Sequence, residues 1–279
     1  MASRIVTGDP TGCRVGLLGL ADDLGVRLNN GRRGAAGGPG AFRTALSRYG
    51  VAEPSGWEWP GVFDAGDVEP APGEDEDALR ATHARVEEAA RALLGAGLLP
   101  VGVGGGHDLT LPLARATIEH ERRAGRTLDE GVYFDAHLDV RERVGSGMAF
   151  RRLISECGVR RLSIVGMDAF ANERAHVEWF RAHGGRETTA GDVLPRGAAF
   201  VSVDMDVFGA GEAPGVSAIN PCGAATAEVL GAVRALGASG RVRCFDIMEL
   251  NPTLDVDGRT ARLAARVFLE FLRGVAGCA

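Results

Sequence analysis

Short apolar runs alternate along the chain with longer segments in which apolar residues recur at the spacing of a helix. Runs of roughly four to eight apolar or β-prone residues, bounded by Gly-rich or acidic segments, are typical of buried strands. The predicted strands lie at residues 14–20, 62–67, 98–103, 131–134, 161–165, 200–207 and 241–247. The predicted helices lie at residues 39–49, 77–97, 111–123, 150–157, 173–183, 225–238 and 262–275.

The regular alternation of the two patterns predicts the fold class. In the helix at residues 77–97 the apolar positions form one stripe, with Arg and Glu opposite: Leu79, Val86, Ala90, Leu93 and Leu94. Strands that alternate with helices predict an α/β fold with a central, mostly parallel β-sheet flanked by helices on both faces. Because the chain shows no linker and no second hydrophobic pattern, we predict that residues 1–279 form a single three-layer domain.

Charge and cysteine content argue against several classes of protein. The net charge is −6, every basic residue is Arg and no basic run exceeds a pair, so we expect no nucleic-acid partner. Five cysteines without CxxC or CxxH spacing argue against a disulfide framework and a zinc finger. The first residues lack the pattern of a signal peptide, and the longest uncharged run, residues 92–106, is short and contains Gly and Pro. We therefore expect a cytoplasmic protein with no membrane partner.

Metal-capable side chains follow the strand predicted at residues 131–134. Asp135, His137 and Asp139 stand at alternate positions, and a strand that continued through them would point all three to one side. Two carboxylates and an imidazole on one face suit a divalent metal ion. A solvated strand end would have the same composition, so the interpretation depends on the other strands.

Three other predicted strands end in residues of the same kind. Asp204 and Asp206 repeat the alternation, and two carboxylates this close repel each other unless a cation lies between them. His107 follows three glycines at the end of another strand, and Glu249 follows a further one. Parallel strands place their carboxyl ends at one edge of the sheet, where α/β proteins bind ligands. We therefore expect all these residues to form one site.

The number and kind of these ligands predict a pair of metal ions. The four aspartates carry four negative charges and the two histidines bind as neutral ligands, so two divalent cations balance the set. Six ligands are too many for one tetrahedral zinc ion, and four carboxylates favour ions such as manganese. A two-metal site activates water at neutral pH, which predicts metal-assisted hydrolysis of a polarised C=N or C=O carbon.

Four motifs, in this order, resemble those of the ureohydrolase family, which includes arginase, agmatinase and formimidoylglutamase. They are GGGHD, FDAHLD, SVDMD and IMELNPTLD, and the resemblance extends over residues 16–272. The resemblance implies an arginase-like fold, two Mn²⁺ ions per subunit and a homo-oligomer. It implies that one ion is held by His107, Asp135, Asp139 and Asp204, and the other by Asp135, His137, Asp204 and Asp206. It also implies that Glu249 binds the amidine-type cation of a small-molecule substrate.

Several stretches look most like formimidoylglutamase within that family. These stretches are GVRLNNGRRGAAGGP at residues 25–39, the third Gly of GGGHD, LDVR at residues 138–141 and SGMAFRRL at residues 146–153. The substrate of such an enzyme, N-formimidoyl-L-glutamate, carries two carboxylates, for which Arg is the natural partner. Arg141 and Arg151 are therefore candidates for substrate binding, together with Asn29 in the loop predicted at residues 22–34. Each of the three is equally compatible with an ordinary surface position.

We predict a hydrolase that acts on linear amidines, namely a formimidoylglutamase that produces L-glutamate and formamide in histidine degradation. Glu249 would hold the cationic head group, while Asp139 would accept a hydrogen bond and help to move protons. The alternative is another ureohydrolase, which releases urea from arginine, agmatine or a guanidino acid. Arginases place a proton-transferring His after the DAHxD motif, and its absence between His137 and His176 argues against arginase. A metal-binding but non-catalytic family member is a third hypothesis, which the intact ligand set opposes.

Overall fold

The structure, a computed structural model, describes residues 5–50 and 59–277. Within them, nine strands form one sheet in the order β1-β3-β2-β4-β9-β8-β5-β6-β7, and every neighbouring pair is parallel. The strands are β1 Ile5–Val6, β2 Val15–Leu20, β3 Val62–Val68, β4 Leu99–Gly104, β5 Leu128–Phe134, β6 Arg161–Val165, β7 Gly185–Glu187, β8 Ala198–Asp204 and β9 Val242–Met248. The helices are α1 Leu24–Leu28, α2 Gly38–Ser47, α3 Glu76–Gly95, α4 Thr110–Arg123, α5 Ala149–Cys157, α6 Arg174–Ala182, α7 Thr226–Ala238 and α8 Arg259–Ala276.

The helices cover both faces of the sheet and so give the fold three layers. On one face α2, α7 and α8 pack together, and Phe42 and Phe268 belong to a buried core on that side. On the other face α3, α4 and α5 pack together over a second core that contains Leu113 and Phe150. The predicted three-layer α/β fold is confirmed, with a sheet that is parallel throughout the described strands.

The two cores explain why the strands appear in the sequence as nearly continuous apolar runs. In β5, Val132 and Phe134 belong to the core beneath α8, whereas Tyr133 belongs to the core beneath α4. A strand with both faces covered buries successive side chains on opposite sides, so the period of two is lost. Each large apolar side chain buried in this way contributes about 1.5–3 kcal/mol to the free energy of unfolding.

Helix α3 shows how its sequence fixes one of the covering elements. Asp75 precedes the helix, and its side chain accepts a hydrogen bond of 2.9 Å from the Ala78 N–H. Such a cap satisfies a backbone donor that the first helical turn leaves free. The predicted apolar stripe is buried along the whole helix: Leu79, Val86, Ala90, Leu93 and Leu94.

The structure differs from the sequence prediction at three short elements. The edge strands β1 and β7 have two and three residues, too few for a recognisable pattern. The loop predicted at residues 22–34 contains the short helix α1, which directly follows Asp23. The Asp22 side chain accepts a hydrogen bond of 2.8 Å from the Leu24 N–H. Among the described residues, none of the helices combines the length and apolarity needed to cross a membrane.

Candidate metal centre and substrate cavity

The metal-capable residues follow four strands that are consecutive neighbours in the middle of the sheet, β4, β9, β8 and β5. His107 begins a short 3₁₀ turn three residues after β4, and Glu249 directly follows β9. Asp204 is the last residue of β8, and Asp135 directly follows β5. Since neighbouring parallel strands end side by side, residues far apart in the sequence meet at one edge, as predicted.

The first group of possible ligands surrounds the imidazole of His107. Its Nδ1 atom lies 3.0 Å from Asp135 Oδ2, 3.0 Å from Asp139 Oδ2 and 3.1 Å from Asp204 Oδ2. His107 and Asp135 are fully buried, and the four ligand atoms are close enough to one another to hold a single ion. The predicted ligands of the first ion are therefore brought together.

The second group consists of His137, Asp135 and Asp206. His137 Nδ1 lies 2.9 Å from Asp206 Oδ2 and 3.5 Å from Asp135 Oδ1. The two oxygens of Asp135 therefore belong to different groups, which is the geometry of a bridging carboxylate. Asp204 was predicted to bridge as well, but its Oδ1 accepts a hydrogen bond of 2.8 Å from the Asp206 N–H. In the two groups of ligand atoms Asp204 occurs with the first, and its predicted bridging role stays a prediction.

The conformation of the backbone at residues 135–139 differs from the continuing strand that the sequence predicted. β5 ends at Phe134, and residues 135–139 form a loop in which Asn172 Oδ1 accepts a hydrogen bond of 2.8 Å from the Leu138 N–H. Asp139 has a φ of 47°, in the left-handed region that residues other than Gly rarely adopt. Asp206 likewise lies in a 3₁₀ turn after β8. Turned loops, and not the pleat of a continuing strand, bring these side chains together.

Hydrogen bonding behind His107 shows that the first group fits a cation. Ser202 Oγ lies 2.9 Å from His107 Nε2 and donates its own proton to Asp246 Oδ1, so it accepts from the imidazole Nε2–H. A neutral His107 then presents the lone pair of Nδ1 to three carboxylate oxygens. His107 Nδ1 and Asp135 Oδ2 are buried and make no hydrogen bond of acceptable geometry. Lone pairs at these distances repel one another unless a proton or a metal cation lies among them.

The electrostatics of the cluster lead to the same conclusion. Burial, together with the negative charges of Asp206 and Asp139, raises the pKa of Asp135 to about 6. Burial and the neighbouring carboxylates also raise the pKa of Asp204 well above its ordinary value. Burial alone would lower the pKa of His137, but Asp135 and Asp206 raise it to about 12. Without a metal the cluster therefore binds protons, and divalent cations would replace them.

Glu249 lies beside the cluster, and the 3₁₀ turn that begins at His107 orients its side chain. Its Oε1 accepts a hydrogen bond of 2.9 Å from the His107 N–H, and its φ of 64° is again left-handed. Burial raises the pKa of Glu249 to about 8, against the opposing effect of that hydrogen bond. A cation bound to Glu249 would stabilise the ionised form. Its second oxygen, Oε2, makes no hydrogen bond within the described part of the chain and remains available to a ligand.

A cavity of about 380 Å³ opens onto this cluster. Asp206 and Glu249 lie at its buried end, and Arg32 and Arg141 are exposed at its other end. Asn29 also lines the cavity, and its Oδ1 accepts a hydrogen bond of 2.6 Å from Arg141 Nη1. Besides Glu249, three residues were predicted to bind the substrate, and the structure brings two of them, Asn29 and Arg141, to the cavity.

Arg151 is the third of those residues, and it does not line the cavity. Its guanidinium forms an ion pair with Glu142 and lies 4.3 Å from the ring centroid of Trp179. Arg151 Nη1 also donates a hydrogen bond of 3.3 Å to Val140 O. The geometry therefore gives no support to its predicted role as a substrate contact.

Sequence reasoning missed three residues that the structure connects to the site, Arg32, Ser202 and Asp246. A charged residue within the strand predicted at residues 241–247 was one available signal, since a buried carboxylate requires a partner. Burial raises the pKa of Asp246 to about 6, and its contact with Ser202 opposes that rise. No signal in the sequence separates Arg32 from its neighbour Arg33.

The arginase family model matches residues 13–273 of the chain. Formimidoylglutamase from Aromatoleum aromaticum is 37% identical over an alignment 289 positions long, which covers 93% of this chain and 83% of the relative. The crystal structure of formimidoylglutamase from Bacillus subtilis has a TM-score of 0.83 and 28% identity, with 97% of this chain and 90% of that chain covered. Formiminoglutamase from Trypanosoma cruzi, solved with Mn²⁺, has a TM-score of 0.85 and 27% identity, with 97% and 96% covered.

These similarities agree with the chemistry of the site. The Trypanosoma cruzi structure contains manganese, and the present chain has a His and Asp cluster that is able to hold metal. The formimidoylglutamases to which the chain is similar are hydrolases of amidino carbon–nitrogen bonds. With the family match covering most of its length, the chain belongs to the arginase family and is a hydrolase of this kind.

Proposed function

We propose that the protein hydrolyses N-formimidoyl-L-glutamate to L-glutamate and formamide with two Mn²⁺ ions. The observation that carries this proposal is a single cavity that joins the metal-capable cluster and the Glu249 carboxylate to the guanidinium of Arg141. The cavity thus offers an anion to the cationic formimidoyl group and a cation to the acidic tail. The names of the similar curated proteins support the same substrate.

The ligand groups divide between the two ions as the geometry suggests. His107, Asp139 and Asp204 would hold one ion, His137 and Asp206 the other, and Asp135 would contact both. When bound, such a pair of divalent cations acts as a Lewis acid and lowers the pKa of water, which permits hydrolysis near neutral pH.

Glu249 would bind and orient the head group of the substrate. Because Oε1 is occupied by the His107 N–H, Oε2 is the oxygen that can accept a hydrogen bond from the amidinium. A charge-assisted hydrogen bond of this kind fixes the formimidoyl carbon near the cluster. The positive charge of the substrate would in turn favour the ionised form of Glu249.

Asp139 is the ligand carboxylate that can most easily exchange a proton with a molecule in the cavity. Its side chain is 13% exposed, compared with 0% for Asp135 and 4% for Asp204 and Asp206. Asp139 would accept a proton from the attacking water and return it to the leaving amine. In the net reaction one water is consumed, the bond between the formimidoyl carbon and the glutamate nitrogen breaks, and formamide leaves.

The proposal is tested with the Mn²⁺-loaded protein and a panel of substrates. Release of formamide and L-glutamate from N-formimidoyl-L-glutamate is expected, with little or no urea from arginine, agmatine or guanidino acids. Urea release from a guanidino substrate without turnover of N-formimidoyl-L-glutamate would contradict the proposal and favour another ureohydrolase. Absence of turnover on every amidino substrate, with metal bound, would also contradict it.

The variant Glu249→Gln tests the role of the head-group carboxylate. Loss of a charge that pairs with a buried cation should lower kcat/KM by at least about 100-fold. Glu178→Gln, an exposed substitution on α6, is the matched control and should leave kcat/KM unchanged. Equal kcat/KM values for the two variants would rule out Glu249 as the amidinium partner.

A further inference from the structure

Two guanidinium groups line the exposed end of the cavity without an acidic partner. Neither Arg32 nor Arg141 forms an ion pair with any residue in the ranges 5–50 and 59–277, whereas Arg151 is paired with Glu142. The carboxylates that share the cavity belong to the metal cluster or to the head-group position. Two unpaired cations in one cavity favour a ligand that brings two negative charges of its own.

The guanidinium of Arg32 is held by Val216 and Ser217, which lie in a different segment from Glu249. Its Nε donates to Ser217 O and its Nη2 donates to Val216 O, both at 2.8 Å. The Arg32 N–H also donates to Ser217 Oγ at 2.8 Å. These bonds fix the orientation of the guanidinium and leave Nη1 without a hydrogen-bond partner among the described residues. A donor that is oriented in advance loses little entropy when it binds a carboxylate.

The backbone of Arg32 is connected rigidly to the position of Glu249. Asn251, two residues after Glu249, is fully buried and donates from Nδ2 to Arg32 O at 3.3 Å and to Arg33 O at 2.8 Å. The separation between the amidinium-binding carboxylate and Arg32 is therefore set by the fold.

Arg141 is supported independently of Arg32. Its Nη1 donates to Asn29 Oδ1 at 2.6 Å, and its backbone N–H donates to Gly147 O at 2.8 Å. Asn29 Nδ2 in turn lies 3.3 Å from Ser146 Oγ. The two guanidinium groups are thus held on separate supports, so each is able to bind its own carboxylate.

We propose that Arg32 and Arg141 each bind one carboxylate of the substrate tail, which makes Arg32 a specificity-determining residue. This inference rests on the proposed function and adds to it the residue that selects a substrate with two carboxylates. Arginine offers one carboxylate and a repelled ammonium group, and agmatine offers no carboxylate. The two-arginine arrangement therefore selects against both of these substrates.

The test compares Arg32→Met with Arg33→Met in the Mn²⁺-loaded protein. Arg33 is adjacent, exposed and absent from the cavity lining, so it is a matched control. The substrates are N-formimidoyl-L-glutamate and its two monoamides, N-formimidoyl-L-glutamine and N-formimidoyl-L-isoglutamine. Arg32→Met should raise KM for the dicarboxylate by about 10- to 100-fold with a small change in kcat, because a charge-assisted hydrogen bond is lost.

The monoamides identify the carboxylate that Arg32 binds. For one of them the substitution should have little effect, since that substrate no longer carries the carboxylate concerned. An equal loss on all three substrates would indicate a general disturbance of the loop and would overturn the proposal, as would no loss on any of them. The melting temperature and metal content establish that the variant is folded. Arg32→Lys, which keeps the charge, should restore part of the affinity, and no restoration would overturn the proposal.

A binding measurement separates this inference from the proposed reaction. The probe is glutarate, a dicarboxylate without an amidine, and calorimetry measures its affinity for the Mn²⁺-loaded protein. The wild-type protein and Arg33→Met should bind glutarate with the same affinity. Arg32→Met should bind it at least about 10-fold more weakly. If the wild-type protein fails to hydrolyse N-formimidoyl-L-glutamate but glutarate binding depends on Arg32, only the reaction is refuted. Glutarate affinity that is independent of Arg32 refutes the inference itself.

Discussion

Ser202 forms a hydrogen bond with Nε2 of His107. Replacement of Ser202 by Ala tests whether this hydrogen bond orients the imidazole for metal binding. The Ser202 hydroxyl accepts from His107 Nε2–H at 2.9 Å and donates to Asp246 Oδ1. These bonds direct Nδ1, as a lone pair, toward the carboxylates of the first metal group. Ser202→Ala removes both bonds and leaves a buried N–H and a buried carboxylate without their partner.

The magnitude follows from the two groups that lose a partner. Each unsatisfied buried polar group costs about 1–3 kcal/mol, so the free energy of unfolding of the metal-free protein should fall by about 2–6 kcal/mol. The Thr110 hydroxyl lies 3.3 Å from Ser202 Oγ and also contacts Asp246, which places the expected loss toward the lower end of that range. Loss of an outer partner of a metal-binding His lowers metal affinity by about 10- to 100-fold.

The two effects are measured separately. Urea unfolding of the metal-free protein gives the loss of stability, and calorimetric titration with Mn²⁺ gives the affinity at each site. Ser163→Ala is the matched control, because Ser163 is also buried, on β6, and among the described residues its hydroxyl accepts only from Arg186 Nε, at 2.9 Å. A Ser202→Ala protein that loses stability but binds Mn²⁺ as tightly as Ser163→Ala would refute the idea that Ser202 orients His107.

Three further predictions concern the same framework. Asp135→Asn should lower the affinity for both Mn²⁺ ions, because one oxygen of Asp135 lies in each ligand group. His137→Ala should lower mainly the affinity for one ion. Equal loss of affinity for both ions in His137→Ala, measured by titration, would contradict this division. The metal-free protein should lose stability as pH rises from about 5 to 9, because burial and neighbouring charges raise the pKa values of Asp135 (to about 6), Glu249 (to about 8) and Asp204, and neighbouring carboxylates raise those of His107 and His137 against the effect of burial. The native state then binds more protons than the unfolded state, and Mn²⁺ binding should release protons. Calorimetry in buffers of different ionisation enthalpy detects this release. A free energy of unfolding that rises with pH over this range would contradict the prediction. Phe268→Ala, in the core beneath α8, should cost about 3–5 kcal/mol in urea unfolding and leave Mn²⁺ affinity unchanged, whereas a parallel loss of metal would show that this core and the site are coupled.

Much of the fold could be predicted because burial leaves a strong periodic signal. The strand predicted at residues 161–165 and the helix predicted at residues 225–238 agree with β6 and α7 to within one residue. The edge strands β1 and β7 escaped prediction because two or three residues carry no period. Helix α1 escaped because Gly and Asn around it favour a loop, and its tertiary contacts override that preference.

The residues of the candidate site could also be predicted, but the backbone conformation that brings them together could not. Parallel strands end at one edge, so an acidic or imidazole residue at each strand end was enough to group His107 with Asp135 and Asp204. The interpretation of Asp135, His137 and Asp139 as an alternating strand was wrong, because the chain turns after Phe134. Side-chain alternation applies only while the strand continues.

The sequence by itself thus determined the layers of the fold and the inventory of the site, since both depend on local pattern and on the direction of the strands. Only the tertiary structure decided which oxygen of Asp135 lies in which group, that Ser202 and Asp246 lie behind His107, and that Arg32 rather than Arg151 lines the cavity. These outcomes depend on distances of a few ångströms between segments that are remote in the sequence. Such distances are set by the packing of whole elements, and no local pattern encodes them.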